Sequence, residues 1–179
     1  MNASYSGTTL TAQQPLNNVI RSTVQCLGAV LGGAQSIHVM GYDEAFQIPS
    51  EEAVTLSLRT QQIIALETGV TRTADPLAGS FFVEHLTDEI EARAADVLAR
   101  ITDSGGAVRA IEQGLPQRWI TEAAYRTELE VATGQRPKVG VNTYTDGGDD
   151  PQVGVDPQVE GFELDPGIAD RQIDRKSVV

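Results

Sequence analysis

The chain carries five helical patterns but only two short stretches of strand character, and this most constrains its fold. Apolar residues recur at steps of three and four within 16–31 and 82–101, which is the spacing of one helix face. Further helices are predicted over three ranges: 51–68, around 108–111, and 116–133. Strands are predicted at 35–40 and 139–141, and residues 1–14 are expected to form a loop or a strand end.

Helices that alternate with short strands are typical of parallel α/β units. Two strands are too few for an independent parallel sheet of normal size. The pattern therefore predicts part of an α/β fold rather than a whole one. Sheet edges and helix faces that further strands and helices would cover should then be exposed, and we expect the isolated chain to associate or to be poorly soluble.

Capping residues support the predicted helix ends. Pro15 suits the first turn of a helix that Gly32 and Gly33 end. Ser50 is a good N-cap, followed by two glutamates at the positive end of the helix dipole. The inward face of the first helix is predicted to comprise Leu16, Val19, Ile20, Thr23, Leu27, Val30 and Leu31.

The charge balance is strongly acidic and limits the classes of partner. The 179 residues include 13 Lys and Arg against 25 Asp and Glu, a formal net charge of −12. Nucleic-acid binding and a polybasic membrane patch both require clustered Lys and Arg, so we expect neither. After residue 143 the composition becomes acidic and rich in Gly and Pro, which predicts a linker or tail over 144–179.

Cysteine usage and hydropathy indicate a cytoplasmic protein. Cys26 is the only cysteine, so no intramolecular disulfide is possible, and its place among apolar helix residues predicts a core thiol. No signal peptide and no membrane-spanning segment are expected. With one cysteine and two histidines, we expect no metal site made of protein ligands alone.

Chemistry-bearing residues follow the first predicted strand. His38 lies at its end, and Asp43 and Glu44 follow in the next loop. Ligands of parallel α/β folds bind at the carboxyl ends of strands, so this edge, with Gly7, is a candidate site. A hydrogen-bonded structural histidine and a helix-capping acid pair remain the alternatives. Glu67, at a helix end, is a weaker candidate.

Seven stretches in the same order carry a resemblance to a known family. They are 5–18 (YSGTTLTAQQPLNN), 32–38 (GGAQSIH), 42–45 (YDEA), 59–62 (RTQQ), 67–70 (ETGV), 75–80 (DPLAGS) and 139–142 (VGVN). Together they resemble the large-subunit family of coenzyme-B12-dependent acyl-CoA mutases, the methylmalonyl-CoA mutase family. The resemblance covers nearly the whole chain.

The resemblance implies a fold and a reaction. Family members have a (β/α)8 catalytic barrel, and such barrels usually run to about 250 residues. Residues 1–143 would thus be the C-terminal part of that TIM barrel, with 144–179 as the acidic tail. The implied cofactor is adenosylcobalamin, whose cobalt–carbon bond family members split homolytically before a carbonyl-CoA group migrates within the acyl-CoA substrate.

Site residues are carried over position by position. Gly7, Glu44 and Gln47 match cofactor-contact positions, and a carboxylate at Glu44 could accept ribose hydroxyl protons. His38 belongs to the same strand end. Ser4 and Met40 match active-site positions where close relatives of methylmalonyl-CoA mutase have Gln and Asn. The family's catalytic histidine and tyrosine-bearing substrate channel, and its cobalamin domain, have no counterpart here.

The predicted function is therefore that of a fragment or split subunit of an adenosylcobalamin-dependent acyl-CoA mutase, an isomerase of the methylmalonyl-CoA to succinyl-CoA type. It would not be competent alone, and would need complementary mutase chains that carry the first barrel half and the cobalamin-binding domain. The alternative is a non-catalytic remnant or an interaction module that binds a mutase subunit.

Overall fold

The computed structural model describes residues 2–4 and 7–145, and within them every helix predicted from the sequence is present. In this part of the chain the helices are α1 (Asn17–Leu31), α2 (Glu51–Glu67), α3 (Phe81–Asp103), α4 (Ala107–Glu112) and α5 (Leu115–Ala132). The strands are β1 (Asn2–Ser4) and β2 (Ser36–His38). Single 3₁₀ turns lie at Gly7–Thr9 and Val70–Arg72. The described chain is thus a mostly helical α/β structure.

The two strands form a parallel two-stranded sheet, and α1 lies between them in the sequence. Asn2 pairs with Ser36, and Ser4 pairs with His38. β2 confirms the strand predicted around 37, whereas β1 lies in a segment for which the sequence indicated only a loop or a strand end. Since the strands are parallel, Ser4 and His38 lie at the same, carboxyl, edge of the sheet.

The strand predicted at 139–141 is wrong. Val139 makes only an isolated bridge to Thr143, and the amides of Val141 and Asn142 donate to the Lys138 carbonyl, which closes a turn. Gly140 adopts φ +79°, a left-handed conformation that interrupts any extended run. The alternation of apolar residues around a glycine therefore belongs to a turn.

The inward face of α1 also differs from the prediction. Its buried residues are Asn18, Ser22 and Cys26, whereas Leu16 and Ile20 are 59% and 65% exposed. Apolar periodicity predicts the wrong residues for the N-terminal half of the buried face. Asn18 and Ser22 are buried there because their side chains donate hydrogen bonds to backbone carbonyls outside α1.

A small core lies between α1, β2 and α2. Cys26, Val39 and Ile64 are buried there, with partly buried apolar side chains packed around them. Cys26 is thus the core thiol that the sequence predicted, and burial raises the pKa of this thiol. α2 begins at the predicted N-cap, because the Ser50 hydroxyl accepts a hydrogen bond from the amide of Ala53.

Many apolar side chains outside this core are uncovered, as predicted for part of an α/β fold. Phe81 and Phe82 at the start of α3 are 95% and 73% exposed, and α3 has no buried residue. The Arg100 guanidinium stacks over the Trp119 ring, 4.4 Å from its centroid, and so connects α3 to α5. None of the described helices is long and apolar enough to cross a bilayer.

Candidate functional site

The carboxyl edge of the two strands opens onto a cleft of about 310 Å³. His38, Gly41 and Glu44 line it on one side, and Leu58 and Gln61 of α2 on the other. Ser4, opposite His38 in the parallel ladder, is exposed at the same edge. Two predicted site residues thus line the cleft directly, and a third lies beside it.

Two loops meet at this edge. Residues 7–14, which we call the Gly7 loop, follow β1, and residues 41–47, the Glu44 turn, follow β2. A Cβ atom placed on Gly7 would lie 3.7 Å from Cε of Met40 and 4.0 Å from the Glu44 carbonyl oxygen. The structure therefore brings Gly7 next to two residues that lie far from it in the sequence.

The Glu44 side chain closes its own turn. Its Oε1 accepts a hydrogen bond of 2.5 Å from the Gly41 amide, while its own amide donates to the Gly41 carbonyl at 3.1 Å. Oε2 accepts no hydrogen bond from any residue that the structure describes. A half-buried carboxylate with one oxygen bonded to a backbone amide can accept a hydrogen bond from a ligand hydroxyl at its other oxygen.

Asp43 organises the same turn from inside and was not assigned this role by the sequence. It is 1% exposed, and its Oδ2 accepts hydrogen bonds of 2.9 Å from the Gln47 side-chain amide and from the Ser50 backbone amide. Gln47 is thus held against Asp43. Burial raises the pKa of the neighbouring Tyr42 hydroxyl, and the carboxylates of Glu52 and Asp43 raise it further.

A buried amide connects the two loops. Asn18 of α1 is fully buried, and its side-chain nitrogen donates to the carbonyls of Thr11, in the Gly7 loop, and Tyr42, in the Glu44 turn. Sequence analysis missed this residue, because apolar periodicity gives no signal for a polar side chain that is buried against backbone carbonyls of other segments. Glu67, by contrast, is exposed at the end of α2 and does not line the cleft.

Metal ligands are not clustered in the described ranges 2–4 and 7–145. No group of three or more His, Cys, Asp or Glu side chains there could hold a metal ion. The polar side chains at the strand edge, Ser4, His38 and Glu44, can form hydrogen bonds with a ligand, and they lie beside the apolar Met40 and the small Gly7.

Comparison with known proteins gives consistent matches. The family model described as methylmalonyl-CoA mutase matches residues 1–175. The chain is 46% identical to the 2-hydroxyisobutanoyl-CoA mutase large subunit of Aquincola tertiaricarbonis over 93% of its own length and 29% of that protein. It is 46% identical to methylmalonyl-CoA mutase of Escherichia coli over 78% of its length and 20% of that protein.

A more distant relative matches the same part of the chain. The mitochondrial methylmalonyl-CoA mutase of Bos taurus is 39% identical over 78% of the chain and 18% of that protein. The chain spans between a fifth and three tenths of the length of the first two relatives. Because the family model matches almost every residue, the resemblance seen in the sequence motifs is confirmed, and the chain belongs to the methylmalonyl-CoA mutase family.

Proposed function

We propose that this chain supplies the closing part of the (β/α)8 catalytic barrel of an adenosylcobalamin-dependent acyl-CoA mutase, an isomerase of the methylmalonyl-CoA mutase type. Residues 1–143 form the barrel part and 144–179 the acidic linker. Further mutase polypeptide supplies the first barrel half and the cobalamin-binding domain, so the isolated chain does not turn over substrate. Family membership and the parallel pairing of β1 with β2 support this assignment.

The observation that carries the proposal is the meeting of the Gly7 loop with the Glu44 turn. Parallel barrels build their active sites from the loops that follow the carboxyl ends of the strands. Here those loops bring Gly7 close to Met40 and Glu44, next to the Ser4–His38 pair. The exposed apolar faces of α1 and α3 are surfaces that neighbouring barrel elements would cover.

The residues at this edge fit the cofactor. Gly7 has no side chain, which leaves the loop backbone open to a bulky group. We assign the Glu44 carboxylate oxygen that the Gly41 amide does not use to a ribose hydroxyl, and Gln47 lies three residues further along the same turn. When bound, adenosylcobalamin supplies homolytic cleavage of its cobalt–carbon bond. Glu44 orients the hydroxyl, while Met40 and the apolar side of the cleft exclude water.

Ser4 and Met40 are the residues we assign to contact the acyl-CoA. Ser4 provides a hydroxyl and Met40 a thioether at two positions where close relatives of methylmalonyl-CoA mutase are expected to have side-chain amides. Relatives of this chain are named for two different acyl groups, methylmalonyl and 2-hydroxyisobutanoyl. A pocket with fewer amide donors favours a substrate with fewer acceptors at that end, because unpaired buried polar groups cost binding energy.

The test is reconstitution of the full chain with polypeptides that carry the first barrel half and the cobalamin domain. Turnover of methylmalonyl-CoA, or of another branched acyl-CoA, in the presence of adenosylcobalamin would support the proposal. Stable assembly without turnover of any acyl-CoA would instead support an interaction module. The absence of both assembly and turnover would contradict the mutase assignment.

Glu44 variants test the assigned site within that complex. Glu44→Gln keeps an oxygen for the Gly41 amide but removes the charge, and we expect about 10- to 100-fold weaker affinity for adenosylcobalamin, the range of one charge-assisted hydrogen bond. Glu44→Ala should cost at least as much. Glu51→Ala, at an exposed acid in the first turn of α2, is the matched control. Unchanged affinity and rate in both Glu44 variants would remove Glu44 from the site.

A further inference from the structure

We propose that Asn18 is a positioning residue that fixes the Gly7 loop against the Glu44 turn, so that one buried amide sets the geometry of the cofactor edge. The inference rests on the proposed function, since it concerns the same edge. Asn18 itself lies in α1, is fully buried, and does not line the cleft.

All the hydrogen-bonding capacity of the Asn18 amide is used, and three of its four hydrogen bonds join α1 to the two loops. Its Nδ2 donates to the Thr11 carbonyl at 2.8 Å and to the Tyr42 carbonyl at 2.7 Å. Its Oδ1 accepts from the Thr11 amide at 3.1 Å and from Nη1 of Arg21 at 2.8 Å. A primary amide has two donors and two acceptor lone pairs, so the four partners saturate it.

The two carbonyls that share Nδ2 belong to the two loops of the candidate site. Thr11 follows the 3₁₀ turn that starts at Gly7, and the Leu10 amide donates back to the Gly7 carbonyl at 3.0 Å. Tyr42 lies between Gly41 and Asp43 in the Glu44 turn. The separation of the loops is therefore set by two donors on a single planar nitrogen, which leaves little freedom for either loop to move alone.

Arg21 reinforces this connection from the outside. Its Nη1 also donates to the Thr11 hydroxyl at 2.8 Å, and its Nη2 donates to the Val139 carbonyl at 2.6 Å. The guanidinium thus holds Asn18 Oδ1 in place and joins the Gly7 loop to the 138–142 turn. Burial lowers the pKa of Arg21, which stays charged at physiological pH.

The experiment is amide hydrogen exchange on the full chain, comparing wild type with Asn18→Asp and Asn17→Asp. Asn18→Asp keeps the side-chain size and Oδ1 but turns an oxygen toward two carbonyls. Asn17→Asp makes the same chemical change one residue earlier, where the side chain donates only to Oε1 of Gln14 at 2.8 Å. We expect Asn18→Asp to accelerate exchange about tenfold or more in both loops, and Asn17→Asp to leave the Glu44 turn within about twofold of wild type.

The informative amides are those of Leu10 and Thr11 in one loop and of Glu44 and Phe46 in the other, because each makes a hydrogen bond in the structure. Acceleration confined to the Gly7 loop would overturn the proposal. If Asn18→Asp fails to fold, wild-type exchange in low denaturant decides the question. Coupled loops must then open with a single denaturant dependence, and two distinct dependences would refute the coupling.

Reconstituted complexes separate positioning from a general loss of stability. A positioning role predicts that Asn18→Asp raises the KM for adenosylcobalamin about tenfold at nearly unchanged kcat. A merely structural defect lowers the active fraction, and so kcat, without moving KM, and that result would overturn the proposal. If the wild-type complex has no affinity for adenosylcobalamin, the proposed function fails, whereas the exchange result still decides the role of Asn18.

Discussion

Gly41 lies where β2 leads into the Glu44 turn, and its α-carbon faces three close neighbours. A Cβ atom there would lie 3.0 Å from Oδ1 of Asp43, 3.1 Å from Cβ of Pro49 and 3.2 Å from Cβ of Ala53. Gly41 is buried and has no positive φ, so the conflict in Gly41→Ala is steric rather than conformational. Asp43 Oδ1 is buried without a hydrogen-bond partner among the described residues, and a methyl group against it offers none.

The magnitude follows from these contacts. One extra methyl group forced into a packed site costs about 1–3 kcal/mol, and all three neighbouring atoms lie close enough to Gly41 that they would have to shift. Gly28 provides the matched control, because it is an exposed interior residue of α1 whose added Cβ meets nothing within 4 Å. Gly28→Ala should stabilise the chain by about 0.5–1 kcal/mol, since alanine loses less backbone entropy in a helix.

Urea unfolding followed by circular dichroism measures both changes in the full chain. With a denaturant slope of about 2 kcal/mol per molar, Gly41→Ala should lower the midpoint by roughly 0.5–1.5 M and Gly28→Ala should raise it by roughly 0.25–0.5 M. The essential result is that the same glycine-to-alanine substitution lowers the urea midpoint at Gly41 and raises it at Gly28. A Gly41→Ala midpoint equal to or above that of wild type would refute the packing described around the Glu44 turn.

Three further predictions concern the cap, the core thiol and the uncovered apolar surface. Ser50→Ala removes the hydroxyl that accepts the Ala53 amide, and it should cost about 1 kcal/mol in the same urea assay, whereas Ser50→Asp should restore most of it. The Cys26 thiol should react with iodoacetamide only as fast as the chain unfolds. Rapid labelling of the native chain would contradict this burial. Because burial raises the pKa of the folded thiol above 9.0, the contribution of the neutral thiol to stability is complete below pH 9 and is lost as pH rises through the folded pKa. The exposed Phe81 and Phe82 should make the isolated chain associate with concentration in sedimentation, and replacing both by serine should reduce that association; a monomer at every concentration would argue against it.

Elements that depend on local signals were predictable. α2 begins just after its N-cap, Ser50, and ends before Gly69, because a hydroxyl cap and a glycine each act within one helical turn. Elements that depend on distant partners were not. β1 has no strand pattern of its own, and it is extended because residues 36–38 pair with it. The 139–141 segment resembles a strand, but its glycine and the hydrogen bonds of the turn decide its conformation.

The candidate site shows the same division. Gly7, Met40 and Glu44 were identified from a resemblance in sequence motifs, and the structure adds that they are neighbours. Asn18 could not have been assigned its role from periodicity, because its partners are backbone carbonyls in two other segments. A polar residue of this kind is buried where it can form hydrogen bonds with particular groups, whatever its position relative to an apolar face.

The pairing of Asn2 with Ser36 has a consequence for the order of folding. All of α1 lies between the two strands, so pairing them closes a chain segment that contains the whole helix and carries the entropy cost of that closure. We therefore expect the ligand edge to form later than the local helices, because non-local pairing bears this cost before its contacts are made. A peptide-bond cut at the 32–35 connection would leave the sequence of every helix intact but make the pairing of β1 with β2 intermolecular, so we expect it to weaken the edge.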